Sequence, residues 1–252
     1  PRENIMTSNI TYASPKIERF FKDNRIKWND FYKSERRIFS QLCLNESTSV
    51  LDIGCACGGL GIALNERFGV RNYTGIEISI EAAKTARILN PKAKIFDGDV
   101  LELSDQQLGV YDIVVSLSCI DWNVEFTAML QKGWSLVKAG GEMVLSLRLT
   151  EKHGIDDINK SSQFINFEGK KEGEIAPYVV LNYHEWMKTA KSLPKISGIR
   201  GYGYYGSPSI TSVTPFKKVC FAVFALKKYH NEQDREIVID LNIPKAIHSS
   251  SN

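Results

Sequence analysis

The chain has 252 residues, of which 43% are hydrophobic and 24% charged, enough apolar sequence for a full core and too much for a disordered chain. Its net charge of +3 lacks the basic excess expected of a nucleic-acid binder, and no apolar run approaches the roughly 18 residues of a membrane span. Residues 1–14 contain no apolar stretch of the signal-peptide kind, and Met6 is a candidate natural start. In chain order, residues 17–42 read as a helix pair of alternating charge, with Phe20, Phe21, Trp28, Phe31 and Tyr32 available to form a lid. VLDI at 50–53 is a short apolar strand, followed by a glycine-rich turn and by helical spacing at Leu60, Ala63, Leu64 and Phe68. Residues 72–77 form a second strand. Ser79 then caps a helix carrying Ala82, Ala83, Ala86 and Leu89, which Pro91 ends. Residues 93–96 and 111–117 are further strands, 124–137 a helix stopped by Ala139-Gly140-Gly141, and 142–147 a fifth strand.

Five strands alternating with helices predict an α/β fold built on a parallel sheet with right-handed crossovers. Residues 194–209 and 217–228 read as an antiparallel pair closing one edge. The expected architecture is therefore a Rossmann-like seven-stranded sheet, mostly parallel with an antiparallel edge strand and helices on both faces. The expected boundaries are a helical lid over 1–45, a ligand-binding domain over 46–230 with an insert at 149–182, and a tail over 231–252.

The turn after the first strand, Gly54-Cys55-Ala56-Cys57-Gly58-Gly59, lies where ligands bind in open α/β sheets. Its cysteines make one CxC, and a metal site needs about four ligands at workable spacing, so they read as small apolar fillers beneath the loop and no metal is expected. All five cysteines of the chain (Cys43, Cys55, Cys57, Cys119 and Cys220), odd in number, suit reduced thiols and a cytoplasmic setting. A dinucleotide would want glycine where Ala56 stands. Asp52, two residues before the first glycine, is a poor neighbour for a pyrophosphate and a good one for a sulfonium or ammonium.

These residues resemble the first motif of the class I S-adenosylmethionine-dependent methyltransferases, a (D/E)xGxGxG pattern that appears here as DxGxAxG. The other motifs follow in order over about residues 48–148. The resemblance implies S-adenosyl-L-methionine as cofactor, cradled by Asp52, Gly54, Ala56 and Gly58. Glu77, with Ile78 beside it, would take the ribose hydroxyls; Asp99 and the Val100 backbone would take the adenine; and Ser116 and Leu117, ending the fourth strand, would pass beneath the methionine part. An NAD-dependent oxidoreductase and a non-catalytic cofactor-binding module are the competing readings.

The acceptor site is expected over the ends of the fourth and fifth strands. Ser118-Cys119-Ile120-Asp121-Trp122 contains none of the proline of the boxes that nucleic-acid methyltransferases of this fold carry there. Asp121 is a candidate base or a helix N-cap; His153 and His184 are the other candidate bases. Trp122, Arg148, Thr150 and Tyr204 are the expected acceptor contacts, and the 201–215 connection is expected to overhang them. A looser resemblance, in WNDFYKSERRIF, SLRLT and GEIAPYVV, is to small-molecule methyltransferases of bacterial surface-polysaccharide pathways. It implies a carbohydrate-biosynthesis role and methylation of a hydroxyl on a sugar or sugar nucleotide. A small amine or tRNA is the runner-up acceptor. Nucleic acid otherwise, and membrane, are not expected partners.

Overall fold

The structure is a computed structural model describing residues 9, 11, 15–166, 168–231 and 236–248; Met6 lies outside them. The first strand, β1 (Ser49–Ile53), lies in the middle of the main sheet, between β2 (Asn72–Glu77) and β4 (Tyr111–Ser116), parallel to both. With β3 (Lys94–Asp97), β5 (Val137–Thr150), β9 (Ile196–Gly206), β11 (Val219–Lys228) and β12 (Val238–Asn242), the order is β12-β9-β11-β5-β4-β1-β2-β3, and the short β8 (Leu181–Asn182) pairs with the far end of β5. Val50, Leu51 and Ile53 are all buried because helices cover both faces, as expected of a central parallel strand.

Side-chain alternation splits the core in two. Leu51, Ile53, Val114, Met143 and Leu145 face α6 (Phe126–Ser135) and α7 (Tyr183–Lys191). Val50, Ile113, Val115 and Val144 face α2 (Lys33–Phe39), α3 (Gly59–Phe68) and α4 (Ile80–Leu89). The three-layered Rossmann-like architecture is thus present, with Ser79 capping α4 through the Ala82 N–H.

Three details differ from the sequence reading. The antiparallel strand is not at the edge: β11 runs antiparallel to both β5 and β9 and lies between them, and β12 adds a parallel strand outside β9. The residues of β12 belong to the segment read as a tail, and Ile243 and Ile247 beyond it are buried. The Ala139-Gly140-Gly141 stretch does not stop a helix. The helix has already ended at Ser135, and the stretch lies within β5 at a bulge, where the β4 partner jumps from Val137 to Glu142 and Gly140 takes a φ of +78°.

A second sheet stands apart. β6 (Ser162–Phe164) and β7 (Ile175–Pro177), both from the insert, pair antiparallel, and β10 (Ser212–Val213), from the β9–β11 connection, joins β6. At the other end of the chain, α1 (Pro15–Asn24) lies against α4.

Candidate active site

A cavity of about 1380 Å³ opens at the carboxyl ends of the central strands. This exceeds the usual volume for one small ligand, about 300–1,000 Å³, and leaves room for two. One end is bounded by the β1 and β2 turns. At the other, Gln163, Phe164, Ile165, Ser209, Ile210 and Thr211 of the small sheet and its flanks form the wall.

The first turn is held by a carboxylate. Glu77, almost fully buried, accepts the Ala56 N–H on one oxygen (2.8 Å) and the Ser79 N–H on the other (2.9 Å). Burial raises its pKa, and these backbone donors pull it back down. Each oxygen keeps a further acceptor direction, which fits the two hydroxyls of a ribose. Ala56 occupies the left-handed region at φ +47°. Gly54 is required by packing: a Cβ there would lie 2.4 Å from the Cys119 sulfur. Gly58 caps α3 at φ +73°.

Asp52 is buried under the turn and accepts the Tyr73 hydroxyl at 2.7 Å. Burial pushes its carboxyl up to about 7, against the pull of Tyr73 and Arg25. It lines a small side pocket with Arg25, Gly54 and Leu117, next to the main cavity. Cys55 and Cys57 are buried here and free; burial raises both thiols, Cys57 to about 12. No cluster of metal-ligating side chains occurs among the described residues.

Asp99 and Val100 line the cavity next to Glu77, and Asp99 has an unexpected partner. Asn9, from the N-terminal segment, donates its backbone N–H to one carboxylate oxygen (3.0 Å) and its side-chain amide to the other (2.8 Å), and the Leu101 N–H adds a third bond (2.9 Å). The Asn9 Oδ1 is buried without a partner.

The acceptor end centres on a buried ion pair. Arg148 and Asp121 are 3% and 4% exposed, with guanidinium and carboxylate 3.0 Å apart. Arg148 also donates to the backbone carbonyls of Val179 (3.0 Å) and Asp121. Its guanidinium stacks on the rings of Trp122 (4.5 Å) and Tyr178 (3.9 Å). Burial raises the Asp121 pKa, and Arg148 opposes the shift.

The structure gathers Gly54, Ala56, Glu77, Ile78, Asp99, Val100, Leu117, Asp121, Trp122, Arg148 and Tyr204 around one cavity. It does not bring His153, His184 or Thr150 there. His153 lies exposed beyond the end of β5, and His184 is exposed in the first turn of α7, just after its cap Asn182. The Thr150 hydroxyl accepts the Lys152 N–H instead. Ser116 is buried, and neither it nor Gly58 lines the cavity. Of the expected lid, Phe20, Phe21 and Tyr32 line the cavity, while Trp28 packs on Phe39 and Phe68. Asn9, Arg25 and Tyr178 were not singled out from the sequence. A lone tyrosine in the polar insert, GEIAPYVV, was the available signal for the last.

Comparison with known proteins places these motifs. A protein-family model described as a methyltransferase domain matches residues 50–141. The match falls on the segment whose motifs resemble the class I S-adenosylmethionine-dependent methyltransferases. A 2-methyl-6-phytyl-1,4-hydroquinone methyltransferase of Synechocystis sp. is 30% identical over 138 residues, which are 54% of this chain and 42% of the relative. A trans-aconitate 2-methyltransferase of Enterobacter sp. is 22% identical over 110 residues, 44% of this chain and 43% of the relative. The chain thus spans about half the length of the curated relatives it matches. Among solved structures, Haemonchus contortus phosphoethanolamine N-methyltransferase 2 in complex with S-adenosylmethionine superposes with a TM-score of 0.57 at 16% identity, over 84% of this chain and 56% of that one. That likeness shows a shared fold. No helix among the described residues is long and apolar enough to cross a membrane.

Proposed function

We propose that this protein transfers a methyl group from S-adenosylmethionine to a hydroxyl of a small polar acceptor, a sugar being the preferred case. The reading is carried by Glu77, a buried carboxylate fixed by two backbone N–H groups and still able to accept two hydroxyls. S-adenosylmethionine supplies a methyl group on a sulfonium, and that S–C bond breaks as the O–C bond to the acceptor forms. The chain's part is to bind, orient and move one proton. Glu77 would hold the ribose, Asp99 the adenine, and Asp52 would lie near the positive end. Asp121 is the candidate base: it lines the cavity, burial raises its pKa against the pull of Arg148, and one of its oxygens is unpartnered. The faces of Trp122 and Tyr204 suit the packing of a ring, and a hydroquinone methyltransferase among the relatives is also named for a ring acceptor.

The test is labelled cofactor with a library of sugars, small amines and bulk RNA, alongside calorimetry. Glu77→Ala should lose about 1.5–3 kcal/mol of cofactor affinity. Asp121→Asn should lose roughly two to four orders of magnitude in turnover with cofactor binding retained. Label found only in RNA overturns the small-molecule reading, and binding of NAD without S-adenosylmethionine overturns the cofactor.

A further inference from the structure

The ion pair at the acceptor end contains two unmet polar atoms. Asp121 gives one oxygen to Arg148 and leaves Oδ1 without a partner. Tyr178, 2% exposed and lining the cavity, has a hydroxyl near Arg148 and Ser212 that meets neither in hydrogen-bond geometry. Native proteins leave few such groups, and each costs about 1–3 kcal/mol. Two around one arginine, on the wall of a cavity, mark a place where a ligand's polar group would repay that cost. Their chemistry is also specific. A carboxylate oxygen only accepts, while a phenol donates or accepts. One alcohol group has the complementary pair, a hydrogen to donate to Asp121 and a lone pair to accept from Tyr178.

Charge narrows the ligand further. Among the described residues lining the cavity there are seven acids and two cations, Arg25 and Arg148. Arg25 is held bidentate by Glu35 at 3.0 and 3.2 Å, and Arg148 is paired with one oxygen of Asp121 at 3.0 Å. A phosphate would meet no unpaired cation among these residues and would face the Asp121 carboxylate. Like charges brought together in this way cost several kcal/mol.

We propose that Tyr178 and Asp121 together bind the reacting hydroxyl of an uncharged acceptor, with Tyr178 as the positioning residue, and that phosphorylated and nucleotide-linked acceptors are rejected. The proposal rests on the methyl-transfer reading. It excludes the sugar nucleotide and keeps the free hydroxyl compound.

The test uses the full chain, labelled S-adenosylmethionine and matched probes: catechol and methyl glucoside, their phosphate monoesters, and UDP-glucose. Neutral members should be methylated with kcat/KM about a hundredfold or more above their phosphorylated partners. Tyr178→Phe removes one oxygen. It should raise KM for the neutral acceptor about tenfold, leave cofactor affinity unchanged, and leave Tm equal or higher because an unmet hydroxyl is gone. Preference for a phosphorylated probe overturns the proposal. So does a Tyr178→Phe variant with lower Tm and unchanged KM, or cofactor binding with no label in any probe. Failure to bind S-adenosylmethionine at all refutes the methyltransferase reading instead.

Discussion

Ala56 holds a backbone conformation that suits glycine. At φ +47° it lies in the left-handed region, where an L-residue costs roughly 1–2 kcal/mol. Its N–H bond to Glu77 holds it there. Ala56→Gly removes the steric cost and returns part of it as chain entropy in the unfolded state, so stability should rise by about 0.5–1 kcal/mol, read as a higher urea midpoint. Asp52 makes a pH prediction. Its folded carboxyl titrates near 7, well above the ordinary value of 3.8. Between those values the folded protein holds a proton that the unfolded chain has released. Its contribution to stability is therefore full below pH about 4 and is lost as pH rises through about 7. Denaturant midpoints at pH 5 and pH 8 should differ in that direction. Asp52→Asn, which keeps an acceptor for Tyr73, should remove that part of the slope.

At the scale of elements, the N-terminal segment and the third strand meet at Asp99. Asn9 supplies two donors to the carboxylate that the resemblance assigns to an adenine amino group, at the cost of burying its own Oδ1 unpaired. Asn9 and an adenine amino group would compete for that acceptor. Asn9→Ala keeps the backbone donor and deletes the amide, so cofactor affinity should rise by about two- to tenfold, measured by calorimetry. The alternation of apolar strands and amphipathic helices over 50–147 was legible because both periods are local. The position of β11 was not, since its apolar pattern, VCFAVFAL, is equally good for an edge or for an interior strand buried on both faces. Glu77 and Asp99 could be read from their register after strands, and Arg148 and Asp121 from their places at strand ends. That the last two are paired, and that Tyr178 closes over them, depends on the insert folding back through the Val179 N–H to the Asp121 carbonyl and the Val179 carbonyl to Arg148. No spacing encodes those contacts. The histidines misled because a side chain suited to general-base work says nothing about which way it faces.

In the whole molecule, the cofactor end of the cavity rests on the long sheet, while the far wall is built from the insert and the β9–β11 connection. These two segments are joined in and beside the small sheet by the pairs Ser212–Gln163 and Val213–Ser162, by the Phe164 N–H donating to the Thr211 carbonyl at 3.0 Å, and by side-chain bonds from the Ser212 hydroxyl to Gln163 at 3.2 Å and from the Ser161 hydroxyl to Thr214 at 2.9 Å. By contrast, β11 and β5 are in register over eight residue pairs. The chamber therefore has a latch far weaker than its frame. Separating this short set of contacts needs only local opening, so a molecule could enter and leave many times within the lifetime of one folded chain. The rate of such traffic would be set by the latch and would stay nearly constant across substitutions that make the frame more or less durable.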